Sequence, residues 1–391
     1  MAGNRICELA MESLHTISNP LVVSRSVNGD RQDKRVARAL IVWPHPRLDR
    51  VRSCLGDANL YEQMDGLSYL SASGIQPAIM DSSRGILNPL RKMGSLLAGI
   101  DPVRFLRMVL CYRQFDLLVS IDSSAAFLLV MMKRLLHLRK PVVVIDPALD
   151  PTYVRRMQLH RQVLPFVDQV IVFSRTQVSF LEHEYSRRAR VTFLHHRIDT
   201  SFFDRRKSRK IEGEPYLFAI GNDISRDFEL LLEAAERLSV PVVLHTSRKI
   251  NRPVPPGVRV QAGWISFEQL RDLYANALAV VMPLHDTLHP GGINSVLEAL
   301  SMSCPLVASA SKGVIDYLEH GKTAWVVEPG NVQALRAGLD RIIADAPLRK
   351  RLGESGRQFC ETTCAMPIYA ARVGAILGEV IVQAPKSVNC A

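Results

Sequence analysis

None of the seven cysteines, at positions 7, 55, 111, 304, 360, 364 and 390, forms a C-x-x-C pair. That excludes the common zinc and dithiol motifs and predicts reduced thiols rather than a disulfide framework. No apolar run reaches the roughly 18 residues of a membrane span, and the best candidate, Ala125 to Met132, is broken by Lys133 and Arg134. The opening M-A-G-N-R-I-C-E lacks the apolar core of a secretory signal, so a cytoplasmic protein is expected. A D-x-D pair that would hold a catalytic metal is also missing, since Asp146 and Asp150 have the wrong spacing. Aromatic residues make up 6% and do not interleave with the basic ones as a single-strand nucleic-acid platform requires, so nucleic acid is not an expected partner.

What is present describes a folded protein. The chain has 391 residues, 47% hydrophobic and 22% charged, which is enough for two cores. Its net charge of +11 is uneven, with 32 basic and 19 acidic residues in 1–210 against 17 and 19 in 211–391. A basic first half implies an acidic partner, such as an anionic membrane surface or a phosphate-bearing acceptor, unless it is simply a solvated face. The stretch from Pro89 to Phe115 and the run ending K-R-L-L-H-L-R-K at Lys140 are apolar with interleaved Arg and Lys, as in helices that lie on anionic bilayers.

Residues 1–35 show no period and read as a poorly ordered extension. From Ala37 onward, short apolar runs alternate with helical patterns. The strands expected are Ala37–Trp43, Gln76–Met80, Asp116–Ile121, Pro141–Ile145, Gln169–Phe173 and Arg190–Leu194, which fill a first domain over 36–200. A charged break over 201–214 reads as the linker. A second series follows in 215–366: Tyr216–Gly221, Pro241–His245, Val258–Ala262, Leu278–Met282, Pro305–Ala308 and Ala324–Val327. Such alternation predicts an α/β protein of two doubly wound parallel sheets facing across a cleft, with ligands beyond the carboxyl ends of the strands. Residues 367–391 contain a last helix.

The segment H-P-G-G-I-N-S-V-L-E-A-L-S-M-S-C-P, His289 to Pro305, carries the most chemistry. Gly291 and Gly292 open a helix whose apolar positions are Ile293, Val296, Leu297 and Leu300. A helix start offers free N–H groups and a positive dipole end to an anion. Glu298 lies within reach for a hydroxyl. Together these describe a nucleotide-sugar pocket.

This segment, with P-L-V-A-S and E-P-G after it, resembles the donor motif of the GT-B glycosyltransferases, especially the retaining family 4. The likeness follows residues 214–380 closely and 37–200 loosely. It implies two Rossmann-like domains and a last helix that crosses back to the first. It further implies a metal-independent, retaining transfer, without a bound cofactor, from a nucleotide-diphosphate sugar, UDP being the commoner donor. The acceptor would be a glycan, a lipid-linked or a small molecule. Carried over residue by residue, Glu298 holds the ribose hydroxyls, and the Ile293, Asn294 and Ser295 segment meets the phosphates with Gly291 and Gly292 giving room. Arg226, in Gly221-Asn222-Asp223-Ile224-Ser225-Arg226, takes the second position of a basic pair that grips the diphosphate, and helps catalysis. Asn222 occupies the first position, so the missing charge falls to Arg248 or Lys249. Trp264 and Ile265, in G-W-I-S, stand where the nucleobase is held.

Three departures stand out. The family's first acidic residue, eight before Glu298, is Pro290, with His289 or Asp286 as substitutes for contacting the sugar. The first strand ends in Pro44-His45-Pro46-Arg47 without a glycine pair. Asp146 replaces a histidine beside the transferred sugar. These departures leave open a non-catalytic GT-B protein that binds glycan or anionic lipid. A nucleotide-sugar epimerase or a phosphorylase on the same fold is the weaker alternative. His195 and His196, a pair at a strand end, read as structural.

Overall fold

The computed structural model describes residues 21–22, 36–43, 66–80, 102–147, 149, 154–185 and 189–384. The turn Pro44–Arg47, Asp150, the first part of the basic stretch (89–101) and most of the 1–35 extension lie outside these described residues.

The first sheet comprises β1 (Leu21–Val22), β2 (Ala37–Val42), β3 (Ile75–Met80), β4 (Leu117–Ile121), β5 (Val142–Ile145), β6 (Gln169–Val172) and β7 (Arg190–Phe193). Their order is β1-β3-β2-β4-β5-β6-β7, parallel except for β1 against β3. The second is β8 (Leu217–Ile220), β9 (Val242–His245), β10 (Val258–Gln261), β11 (Ala279–Met282), β12 (Leu306–Ser309) and β13 (Trp325–Val327), ordered β10-β9-β8-β11-β12-β13 and wholly parallel. Every strand expected from sequence forms, within a residue or so at each end.

Continuous apolar strands are required because both faces of each sheet are covered. In β2, Leu40 and Val42 enter one core cluster while Ala39, Ile41 and, just beyond the strand, Trp43 enter another. In β11, Val280 and Met282 face the cluster shared with the first domain, and Ala279 and Val281 face away.

Helices α1 (Pro102–Cys111), α2 (Ser123–Leu135), α3 (Val154–Val163) and α4 (Arg175–Glu184) follow strands of the first sheet. Helix α1 corrects an expectation. Arg104 and Arg107 are buried at 6% exposure, and Arg104 Nη1 donates to the carbonyl of Trp43 at the end of β2. Leu106 and Leu110 are exposed instead. The apolar period of α1 was legible, but a short helix at a strand end turns its arginines inward because the last strand carbonyls need donors.

Helices α5 (Phe228–Ala235), α6 (Phe267–Asn276), α7 (Ile293–Ser301), α8 (Val332–Ala344) and α9 (Ala346–Phe359) belong to the second domain. After α9, a π-helical turn over Cys360–Cys364 leads into α10 (Met366–Gln383). At 18 residues, α10 is long and apolar enough to cross a membrane by length and composition, although Arg372 and Glu379 interrupt its apolar run. Its Tyr369, Ala370, Val373, Leu377 and Val380, spaced along one helical stripe, are buried against protein. Gly374 meets Ser73, where an added Cβ would lie 2.4 Å from that side chain. The helix thus lies on the first domain, and burying each large apolar residue contributes about 1.5–3 kcal/mol.

The linker is docked rather than loose. Asp199 Oδ1 accepts from the backbone N–H groups of Ser201 and Phe202, and Phe202 and Phe203 are buried. Arg357 of α9 donates to the carbonyls of Thr200, Phe203 and Ser301 and pairs with Glu361. Cys111, Cys304, Cys360 and Cys364 are buried free thiols.

Candidate functional site

The order of the second sheet reverses between β8 and β11, so the connections leaving their carboxyl ends part there and open a crevice. Gly221 to Arg226, following β8, and Leu284 to Ser295, following β11, line it. Arg226 pairs with Leu284 in an isolated bridge, which draws the two loops together.

Arg226 is 3% exposed. Its Nε donates to Asp223 Oδ2 at 2.9 Å, Nη2 donates to Ser295 Oγ at 3.0 Å, and Nη1 contacts Met282 Sδ. Burial opposes charge on Asp223, but the Arg226 guanidinium outweighs it and holds the carboxyl below its usual range. The glycines serve this arginine. At Gly221, with φ +149°, a Cβ would lie 2.3 Å from Arg226 Nε. At Gly292, the N-cap of α7 with φ +88°, it would lie 3.1 Å from Nη1. At Gly291 it would lie 2.0 Å from Ser225 Oγ. The expectation that Gly291 and Gly292 clear space for a ligand is corrected to this extent, because the space is filled by Ser225 and Arg226.

Glu298, in the second turn of α7, is buried at 7% exposure and accepts from Tyr274 Oη of α6 at 2.8 Å. Burial pushes its carboxyl up to about 7, against the opposing pull of Tyr274 and Arg226. Burial also raises the Tyr274 hydroxyl well above its ordinary value, so it stays a donor.

Asn222 Oδ1 accepts from Ser247 N at 2.7 Å, so this amide ties two strand-end loops together. Arg248 Nη1 donates to the carbonyls of Asp223 and Arg226. Lys249 is exposed. Neither Arg248 nor Lys249 therefore reaches α7 as the second cation. Trp264 is 85% exposed, with its ring open to solvent rather than packed in the core, and Ile265 is half-buried against the core.

Of the substitutes for the acidic residue at Pro290, Asp286 is engaged by Lys312, accepting from its N at 3.0 Å and its Nζ at 2.7 Å. His289 keeps a buried Nδ1 that has no partner among the described residues. Across the cleft, Asp146 follows β5 with φ +50°, a left-handed conformation rare for a side chain with Cβ, and acts electrostatically on Tyr317.

The first domain grips the second. Ser174 and Thr176 donate to the carbonyl of Lys312, and Arg175 pairs with Asp316. The backbone N–H of His196 donates to Tyr317 Oη at 2.8 Å, and Tyr317 Oη donates to the carbonyl of Phe173. His196 Nε2 lies 2.9 Å from Asn294 Oδ1 at the start of α7. Burial, then neighbouring Arg197, pushes the imidazole well below its ordinary value, so it is neutral. Sequence reasoning passed over Tyr274, Ser225, His196 and Arg197. Their partners lie far off in the chain, and the histidine pair was the one signal available. Among the described residues, no three His, Cys, Asp or Glu side chains group as metal ligands.

Residues 257–359 match the model of the family described as glycosyl transferases group 1. Curated relatives align over the same kind of limited span. One is the capsular polysaccharide biosynthesis glycosyltransferase CapM of Staphylococcus aureus, 31% identical over 88 residues, 22% of each chain. Another is the sulfoquinovosyl transferase SQD2 of Arabidopsis thaliana, 31% identical over 106 residues, 26% of this chain and 20% of that one. These alignments thus span about a fifth of the relatives' length. Among solved structures, sucrose-phosphate synthase from Thermosynechococcus elongatus superposes with a TM-score of 0.67 at 15% identity, over 88% of this chain and 99% of that one. Anabaena HepE in complex with UDP gives 0.65 at 13%, over 88% and 100%. At such identities the likeness shows the fold. The chain has the GT-B fold, and residues 257–359 of its second domain match the glycosyl transferases group 1 model.

Proposed function

We propose that the protein is a retaining glycosyltransferase that moves a sugar from a nucleotide-diphosphate sugar, a UDP-sugar being favoured. The observation that carries this reading is the convergence at one helix start of a buried arginine, Arg226, and a buried carboxyl, Glu298, at the switch point of a parallel sheet. Glu298 takes the ribose hydroxyls, exchanging its bond from Tyr274 for bonds from the ligand. Arg226, Ser295 and the first amides of α7 meet the diphosphate. As the bond from the anomeric carbon to the diphosphate oxygen breaks, negative charge grows on that oxygen, and fixed donors aimed there stabilise it. The departing oxygen then takes the acceptor hydroxyl's proton on the same face, as the acceptor oxygen forms the new bond to the anomeric carbon. Asp146 and His289 are assigned to the sugar and acceptor side, because Pro290 has no group to offer a hydroxyl. No residue is assigned to a metal.

The acceptor domain supports a peripheral position on the inner face of a membrane and a lipid-linked or glycan acceptor. Leu106 and Leu110 of α1 are exposed, as are Leu135 and Leu136 at the end of α2 with Arg134 and Arg139 near them in the chain. The test is melting temperature against UDP, GDP, dTDP and ADP and their common sugars, followed by turnover of any that bind, since a ligand that binds only the native state raises the midpoint. A shift with turnover supports the transferase. A shift without turnover, on any acceptor offered, leaves the non-catalytic GT-B reading. No shift with any nucleotide removes the donor site.

A further inference from the structure

The second domain brings one cation to its phosphate site. Asn222 replaces the other member of the pair and is occupied with Ser247. Arg248 is held on backbone carbonyls, and Lys249 faces solvent. A diphosphate that gains charge as its sugar leaves needs more than one guanidinium and a helix dipole to offset it.

Arg197 stands where the missing charge would be useful. It belongs to the first domain, just beyond β7, and is 8% exposed. Its Nη1 contacts both ring nitrogens of His196, Nδ1 at 3.2 Å. His196 Nε2 lies 2.9 Å from Asn294 Oδ1, in the first turn of α7. Nε2 thus faces both the Asn294 carbonyl oxygen and the Arg197 guanidinium, and Nδ1 faces the guanidinium as well. The guanidinium is therefore one imidazole away from the helix start. A separate feature marks that start as a ligand site. Ser225 is 1% exposed, and its Oγ, directed at Gly291 beside the Asp223 carboxylate, makes no hydrogen bond of good geometry. A buried hydroxyl without such a bond is costly, and a ligand oxygen would relieve it.

We infer that Arg197 supplies the second cation for the donor's diphosphate from the opposite domain, with His196 as the positioning residue that holds it over α7. This rests on the reading of α7 as the diphosphate site. Its consequence is that the phosphate site is complete only when the two domains are apposed, so tight binding of a diphosphate reports domain closure.

The experiment is calorimetric titration of the full chain with UDP, GDP, uridine and guanosine, for wild type, Arg197→Gln, Arg197→Lys and Arg226→Gln, with melting temperature as the check on folding. Arg197→Gln is expected to lose about 10- to 100-fold in affinity for the diphosphate, the scale of one charge-assisted hydrogen bond, and to bind the nucleoside as before. Arg197→Lys keeps the charge and should lose less than the glutamine variant. If Arg197→Gln does not fold, Arg197→Lys decides the matter: a several-fold loss confined to the diphosphate supports the assignment, and unchanged affinity overturns it. Wild-type diphosphate affinity in Arg197→Gln, alongside a loss in Arg226→Gln, would overturn the role of Arg197 while leaving the donor reading intact. Equal losses for diphosphate and nucleoside would also overturn it, because a disturbed cleft and not a lost charge would then be the cause. Wild type that binds neither nucleoside diphosphate overturns the donor reading and this inference with it.

Discussion

Tyr274 and Glu298, on neighbouring helices of the second domain, share a 2.8 Å hydrogen bond that no solvent reaches, and burial holds the Glu298 carboxyl at about 7. Raised above the ordinary value of 4.5, this group favours the folded state fully below pH 4.5 and loses that contribution as pH rises through 7. Glu298→Gln does not titrate. Relative to its own value at pH 5, the variant should hold its stability at pH 8 where wild type loses on the order of 1–3 kcal/mol. Parallel pH profiles of melting temperature for the two proteins would refute this. The same variant should bind donor about tenfold more weakly, having lost an acceptor for the ribose, and unchanged donor affinity would remove that assignment.

Arg226 is packed against three groups and aimed at α7. Arg226→Ala should weaken nucleoside diphosphates by about 100-fold and the free nucleoside by far less. Binding of UDP and uridine by the variant is the measurement, and equal losses would argue against a phosphate role.

Gly221 tests the same arginine without touching its charge. A methyl group there would sit 2.3 Å from Arg226 Nε, at a backbone φ of +149° that disfavours any Cβ. Gly221→Ala should therefore imitate Arg226→Ala in diphosphate affinity and also lose about 1–3 kcal/mol of stability. Wild-type affinity would mean that the arginine has another position from which to work.

Arg357 joins α9 to the linker and the end of α7 through the carbonyls of Thr200, Phe203 and Ser301. Arg357→Ala strips three partly buried acceptors at once and should cost about 2–4 kcal/mol. Chemical denaturation measures it. A loss under about 0.5 kcal/mol would show that water replaces the guanidinium.

On the first domain, the groups to alter are apolar. Leu106→Glu with Leu110→Glu should release the protein from anionic phospholipid vesicles in a sedimentation assay while leaving its melting temperature unchanged, because both side chains are exposed. Wild type that never sediments with such vesicles would remove the membrane position.

The sequence by itself determined the architecture. Continuous apolar runs of about four to seven residues, alternating with helical patterns, placed every strand but the short β1 in the 1–35 stretch, because the strands of a parallel sheet covered on both faces are apolar on both. Through its motif resemblance it also grouped Arg226 and the glycine pair, on the loops after β8 and β11, with Glu298 on the helix that follows. The tertiary structure alone decided what each of them faces. That Gly221 and Gly292 shelter Arg226, that Arg104 and Arg107 turn inward, that Trp264 lies in solvent, and that His196 and Arg197 meet Asn294 all depend on contacts between residues distant in the chain. Local pattern records which face of an element is apolar. It holds no record of which buried polar group another domain will bring to it, because that pairing is set by how the two sheets dock.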